Sequence, residues 1–199
     1  MKVGNTEWRI LTVPNLVSVV RLGCAPVFCV LLLGMGNRAG AAALLSVLGA
    51  TDWVDGYIAR RFDQGSELGK ILDPTADRLM FLAAAVAMMV DGSLHAAFGL
   101  TMLAREAVVS LATVVLGAMG ARRIDVTWTG KTATFGLMFA LPLLLLGDSS
   151  VGGGAALRGV GWGVGIPSLA LSYYAAVEYV PRVRRALAEG RAGRAAASS

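Results

Sequence analysis

The chain has 199 residues, of which 56% are hydrophobic and only 16% charged, with a formal net charge of +5 and a mean hydropathy of +0.65. Soluble domains average roughly 45–50% apolar and about 25% charged residues, so this composition suits lipid as the solvent. The missing period-two alternation excludes a β-barrel, and the basic balance calls for anionic lipid as a partner and not for nucleic acid.

Residues 1–13 carry Lys2, Glu7, Trp8 and Arg9 ahead of the first apolar run, with no small-residue cleavage site. They read as an interfacial segment with Trp8 at headgroup depth. A spanning helix needs about 20 mostly apolar residues. Six stretches qualify, at 14–36, 40–62, 69–91, 94–119, 128–147 and 157–181. The expected fold is an all-α integral membrane protein, with six transmembrane helices across residues 14–185 and a polar cavity facing the cytoplasm. Cys24 and Cys29 fall within the first run and read as packing residues. The Gly/Ser-rich segment 147–154 reads as a loop, and the small, basic segment 186–199 as a disordered tail.

With six spans, Lys2, Arg9, Arg60, Arg61, Lys70, Arg122, Arg123, Lys131 and the arginines beyond residue 181 share one side. Arg38 and Arg158 fall on the other, while Arg21, Arg78 and Arg105 lie within or near the ends of spans. The excess of basic residues marks the first side, with both termini, as cytoplasmic.

Six of the thirteen acidic residues lie between positions 52 and 77. An ionised group at membrane depth costs roughly 2.5–3.5 kcal/mol on insertion scales, so packing does not explain them. At 100° per residue, Asp52, Asp55, Gly56 and Ala59 share one helix face, and Gly69, Asp73, Ala76 and Asp77 share another. The short connection 62–68 makes the two helices antiparallel neighbours, with their acidic faces converging. Pro74 should kink or restart the second of them. Converging carboxylates call for a cation, and hard oxygen donors select magnesium, manganese or calcium over zinc. The single histidine, His95, lies near the far end of the third span. Two divalent ions can clamp a diphosphate, and Arg60 and Arg61 stand one turn further on, where phosphate charge would lie. A bland alternative places the acids in water at helix ends and the glycines in helix packing.

The residues Asp52-x2-Asp55-Gly56-x2-Ala59-Arg60-x8-Gly69-x3-Asp73-x3-Asp77 resemble the full signature of the CDP-alcohol phosphatidyltransferase family, eight fixed residues over 26 positions. Pro14-Asn15 at the start of the first helix and the basic start of the fifth extend the likeness over most of the chain. The resemblance implies transfer of the phosphatidyl group of CDP-diacylglycerol to an alcohol or lipid acceptor, with release of CMP. It implies that Asp52, Asp55, Asp73 and Asp77 hold two Mg2+ or Mn2+ ions, that Asp77 is also the general base, and that Gly56, Ala59, Arg60 and Gly69 line the CDP site. It further implies a homodimer in the bacterial plasma membrane.

For the acceptor, Arg105-Glu106 and Gly130-Lys131 are similar to segments of bacterial phosphatidylglycerophosphate synthases, so Arg105 and Lys131 would hold an acceptor phosphate. Two cations expected in that branch are absent here, one falling near Thr113 and the other at Ala133. The chain is similar to actinobacterial enzymes of the CMP-forming cardiolipin synthase type. Phosphatidylglycerol is the expected acceptor and glycerol 3-phosphate the alternative. A small cation transporter is a remote alternative: transport acids favour the midplane of broken helices, and a cation path has no use for Arg60 and Arg61.

Overall fold

In a computed structural model, the structure describes the backbone of residues 13–62, 69–118 and 127–197, and the side chains of residues 19–51, 75–114 and 127–178. The described backbone forms six α-helices: α1 (Val13–Cys29), α2 (Arg38–Phe62), α3 (Gly69–Asp91), α4 (Ala96–Ala118), α5 (Trp128–Gly147) and α6 (Gly154–Ala197). The all-α membrane fold is as the composition requires. Among the described residues, stretches of α4, α5 and α6 are long and apolar enough to cross a membrane, and shorter apolar stretches lie at Val19–Gly34 and Arg38–Thr51.

Each helix closely matches one of the six apolar stretches, with two differences. A π-helical turn, Val30–Gly34, prolongs α1 before the chain reverses at Gly36, whose φ of 63° suits glycine. At the other extreme, α6 continues to Ala197, through the segment from residue 186 that composition marked as disordered. Ala, Arg, Leu and Glu dominate that segment, and all are strong helix formers. At 1.5 Å per residue, α6 spans about 66 Å against a hydrocarbon layer of about 30 Å. α3 is one helix through Pro74, so the proline does not restart it.

Helix α5 sits at the centre. Its buried residues Gly130, Ala133, Leu137, Ala140, Leu141, Leu144 and Leu145 fall at three- and four-residue steps along one side. α5 packs most broadly on α6 and also on α2, while α1 packs on α3. Small residues bring α5 and α6 together: a Cβ on Gly161 would lie 2.9 Å from the Leu144 side chain, and one on Gly147 would lie 2.8 Å from the backbone of Arg158. Without a hydrophobic drive between helices in lipid, such close backbone approach is what holds membrane helices together. The core fills with Phe28, Leu32, Met88, Leu94, Met102, Leu141 and Leu145, and Cys29 packs against it. Leu100, Val108, Leu111 and Val114 of α4 are mostly exposed, as residues facing acyl chains would be.

The three described connections, after the π-turn, α3 and α5, lie at one end of the bundle. There Arg38 at the start of α2 ion-pairs with Asp91 (2.9 Å) and donates to the backbone oxygen of Asp148 (3.1 Å). Arg158 of α6 ion-pairs with Asp148. The two arginines expected to be alone on this side thus meet around two aspartates. His95 lies in the same region, its Nδ1 accepting the Ala97 N–H at 3.3 Å.

Candidate active site

Both halves of the acidic signature lie on helices, as their spacing requires: Asp52, Asp55, Gly56, Ala59 and Arg60 on α2, and Gly69, Asp73 and Asp77 on α3. Of these eight, the described side chain is that of Asp77. The others lie outside the described side chains, and the connection 63–68 outside the described backbone. Among the described residues no group of three potential metal ligands occurs.

Asp77 is half-buried two turns into α3, where it ion-pairs with Arg21 of α1. Arg21 is 5% exposed. The sequence reading placed Arg21 in the first span without a role. A lone arginine inside an apolar run was the available signal, since a charge is kept there only when it has a partner or a task. Arg21 and Asp77 line a small pocket with Leu45, Leu48 and Gly49 of α2, Met80 and Phe81 of α3, and Met138 and Leu141 of α5. Helices α2 and α3 therefore face one cavity. Leu48 and Gly49, on the α2 side of this cavity, lie one turn before Asp52 in the chain.

Next to Asp77 in the chain, Arg78 reaches across to α4. Its Nε lies 3.4 Å from Glu106 Oε1, and its Nη1 donates to Ser110 Oγ at 2.9 Å. Arg105 Nη1 donates to Glu106 Oε2 at 2.8 Å. Arg105 thus sits with Arg78 and Glu106, two residues for which sequence reasoning had found no part. Lys131, the other candidate for an acceptor phosphate, is exposed in the first turn of α5. That turn is capped by the Thr127 hydroxyl, which accepts the Gly130 N–H at 3.1 Å, and Thr129 donates to Glu178 of α6 at 3.0 Å. Of the two positions that lack the expected cations, Thr113 is exposed and Ala133 is fully buried at 0%.

Fold and site together define a helical, membrane-embedded protein with ionisable side chains gathered between its helices, where a charged substrate group can be held. Comparison with known proteins makes the class specific. The family model for CDP-alcohol phosphatidyltransferase matches residues 11–174. The CMP-forming cardiolipin synthase of Streptomyces coelicolor is 40% identical over 183 residues, covering 89% of this chain and 85% of that protein. CDP-diacylglycerol–glycerol-3-phosphate 3-phosphatidyltransferases are similar too: that of Pseudomonas fluorescens is 34% identical, covering 68% of this chain and 72% of that protein. The Escherichia coli K12 protein of that name is 33% identical, covering 67% of this chain and 76% of that protein. The chain belongs to the CDP-alcohol phosphatidyltransferase family. It is a phosphatidyltransferase of phospholipid synthesis, using CDP-diacylglycerol and an alcohol or lipid acceptor. The family generally depends on a divalent metal ion.

Proposed function

We propose that this enzyme transfers the phosphatidyl group of CDP-diacylglycerol to phosphatidylglycerol, forming cardiolipin and releasing CMP. The observation that carries the choice of acceptor is Ala133: where a lysine would be expected for glycerol 3-phosphate, the chain has an alanine with no exposure. A lysine there would need an ammonium buried against the α5 core. The neutral Thr113 points the same way, as does the similarity to the Streptomyces coelicolor cardiolipin synthase. The similarity to glycerol-3-phosphate transferases keeps that acceptor as the second reading.

The donor set fits hard divalent cations. Asp52, Asp55, Asp73 and Asp77 offer only carboxylate oxygens, and four such charges at helical spacing on two helices repel unless neutralised. We assign them two Mg2+ or Mn2+ ions, which when bound would neutralise the donor's diphosphate and the charge that develops there. Gly56, Ala59 and Gly69 leave space for the CDP group, and Arg60 adds a phosphate contact. Arg21 orients the Asp77 carboxylate through the ion pair. Asp77 takes the proton of the acceptor hydroxyl as its oxygen attacks the phosphorus that bears diacylglycerol. The new phosphorus–oxygen ester bond forms in line with the one that breaks, and CMP leaves with that bond's electrons. Arg105 and Lys131 hold the acceptor's phosphate. The enzyme crosses the bacterial plasma membrane with both termini and this site on the cytoplasmic side, and it works as a homodimer.

The test is CMP release by purified protein with CDP-diacylglycerol and Mg2+, comparing phosphatidylglycerol with glycerol 3-phosphate. Release with phosphatidylglycerol alone supports the reading, and release with glycerol 3-phosphate alone overturns it. Chelation by EDTA should stop turnover, with Mg2+ or Mn2+ restoring it; full activity in EDTA would remove the metal assignment.

A further inference from the structure

The cluster between α3 and α4 has a charge that its own members do not cancel. Glu106 is 8% exposed and offers one carboxylate oxygen to each of two arginines, Oε2 to Arg105 Nη1 at 2.8 Å and Oε1 to Arg78 Nε at 3.4 Å. Ser110 Oγ accepts a hydrogen bond from Arg78 Nη1 at 2.9 Å. Two guanidiniums against one carboxylate leave a single positive charge. The Arg105 side chain is only 10% exposed, and its buried Nε has no hydrogen-bond partner among the described residues. A buried guanidinium donor without an acceptor is costly, and an anion reaching the cluster beside Arg78, whose side chain is 42% exposed, would offset the surplus charge. Arg78 follows directly on Asp77, so one turn of α3 carries the residue that takes the acceptor's proton, turned to Arg21 of α1, and the arginine of the cluster, turned to α4.

We infer that Arg78, Glu106 and Arg105 form a cradle for the single negative charge of a membrane phosphodiester, the phosphate of the acceptor lipid. Glu106 is the positioning residue: it holds the two guanidiniums side by side and sets the net charge at one. A phosphodiester carries one charge, whereas a free phosphate monoester carries about 1.5 to 2 at neutral pH. Glu106 therefore discriminates against glycerol 3-phosphate while arranging the arginines that hold phosphatidylglycerol. The inference rests on the proposed acceptor but assigns two residues, Arg78 and Glu106, that the acceptor reading did not include.

The experiment measures kcat and KM for donor and acceptor separately, in wild type, Arg78→Gln, Glu106→Gln and Glu106→Asp. Arg78→Gln should raise the KM for phosphatidylglycerol about tenfold, the scale of one charge-assisted hydrogen bond, with the KM for CDP-diacylglycerol unchanged. Glu106→Gln should raise the same KM and, by adding a net positive charge, increase use of glycerol 3-phosphate relative to phosphatidylglycerol. Glu106→Asp should recover part of the wild-type preference. Equal losses with both acceptors together with a raised donor KM would make the cluster merely structural and overturn the inference; so would an unchanged acceptor KM in Arg78→Gln. Should Glu106→Gln not fold, Arg78→Gln with Arg78→Lys decides alone, because Arg78 is partly exposed. If wild type uses only glycerol 3-phosphate, the acceptor reading and the charge-discrimination role both fall. A selective rise in the KM for that acceptor in Arg78→Gln would still show the cradle.

Discussion

At one end of the bundle, Arg38, Asp91, Asp148 and Arg158 form a cluster in which two positive charges meet two negative ones. Towards the other, Arg21 and Arg78 flank Asp77, and Arg105 joins Arg78 on Glu106. Three guanidiniums there face two carboxylates among the described residues. The balanced cluster ties the start of α2 to the ends of α3 and α5 and to α6, closing connections whose tight reversals use Gly36, Gly92 and Gly153 at positive φ. Nothing remains over for a ligand. Among the described residues the second group carries one more positive charge than negative, and its Arg21 and Asp77 line a cavity shared by four helices. Charge that is neutralised within the protein stabilises it, and charge left over in a buried place serves a ligand.

Substitutions can break this contrast. The largest effect is expected for Asp77→Asn, which should lower CMP release by about 10²–10⁴-fold, the usual contribution of a general base. Binding of CDP-diacylglycerol to the same protein, followed by filter retention of labelled donor, should persist; a wild-type rate would show that Asp77 is not the base. Next, Arg21→Gln should cost about 10- to 100-fold in kcat, because removing one partner of a buried pair leaves the other charge misplaced. Arg21→Lys should recover part of that loss. Arg38→Met is the matched control at the opposite end. It should lower the melting temperature in detergent by about 2–12 °C, given a loss of about 1–3 kcal/mol, with kcat kept. If Arg38→Met slowed turnover as much as Arg21→Gln, the two clusters would not divide stability from chemistry. The smallest effect is expected for Thr113→Arg, an exposed position. An added surface charge there should raise the ratio of glycerol 3-phosphate to phosphatidylglycerol use about two- to fivefold. A uniform fall with both acceptors would sink the cation-count argument. Ala133→Lys is a poorer partner for this test than the sequence suggests, since residue 133 is fully buried.

The helices, the acidic signature and the family were legible in the residues themselves. Apolar runs of about 20 residues and carboxylates at helical steps are local patterns, set by a helix's fixed rise and turn. Composition marked the small, basic segment from residue 186 as a tail, and α6 runs through it to Ala197. Only the packing of one helix on another decided the rest. Arg21 meets Asp77 across 56 positions of sequence, and Arg38 reaches the Asp148 carbonyl across 110. The join of Arg78 to Arg105 through Glu106 and the burial of Ala133 likewise depend on which helices are neighbours and how they are turned. A helix's periodicity states which residues share a face. It does not state what that face meets, because helix–helix partners in lipid are chosen by close fit between side chains far apart in the chain.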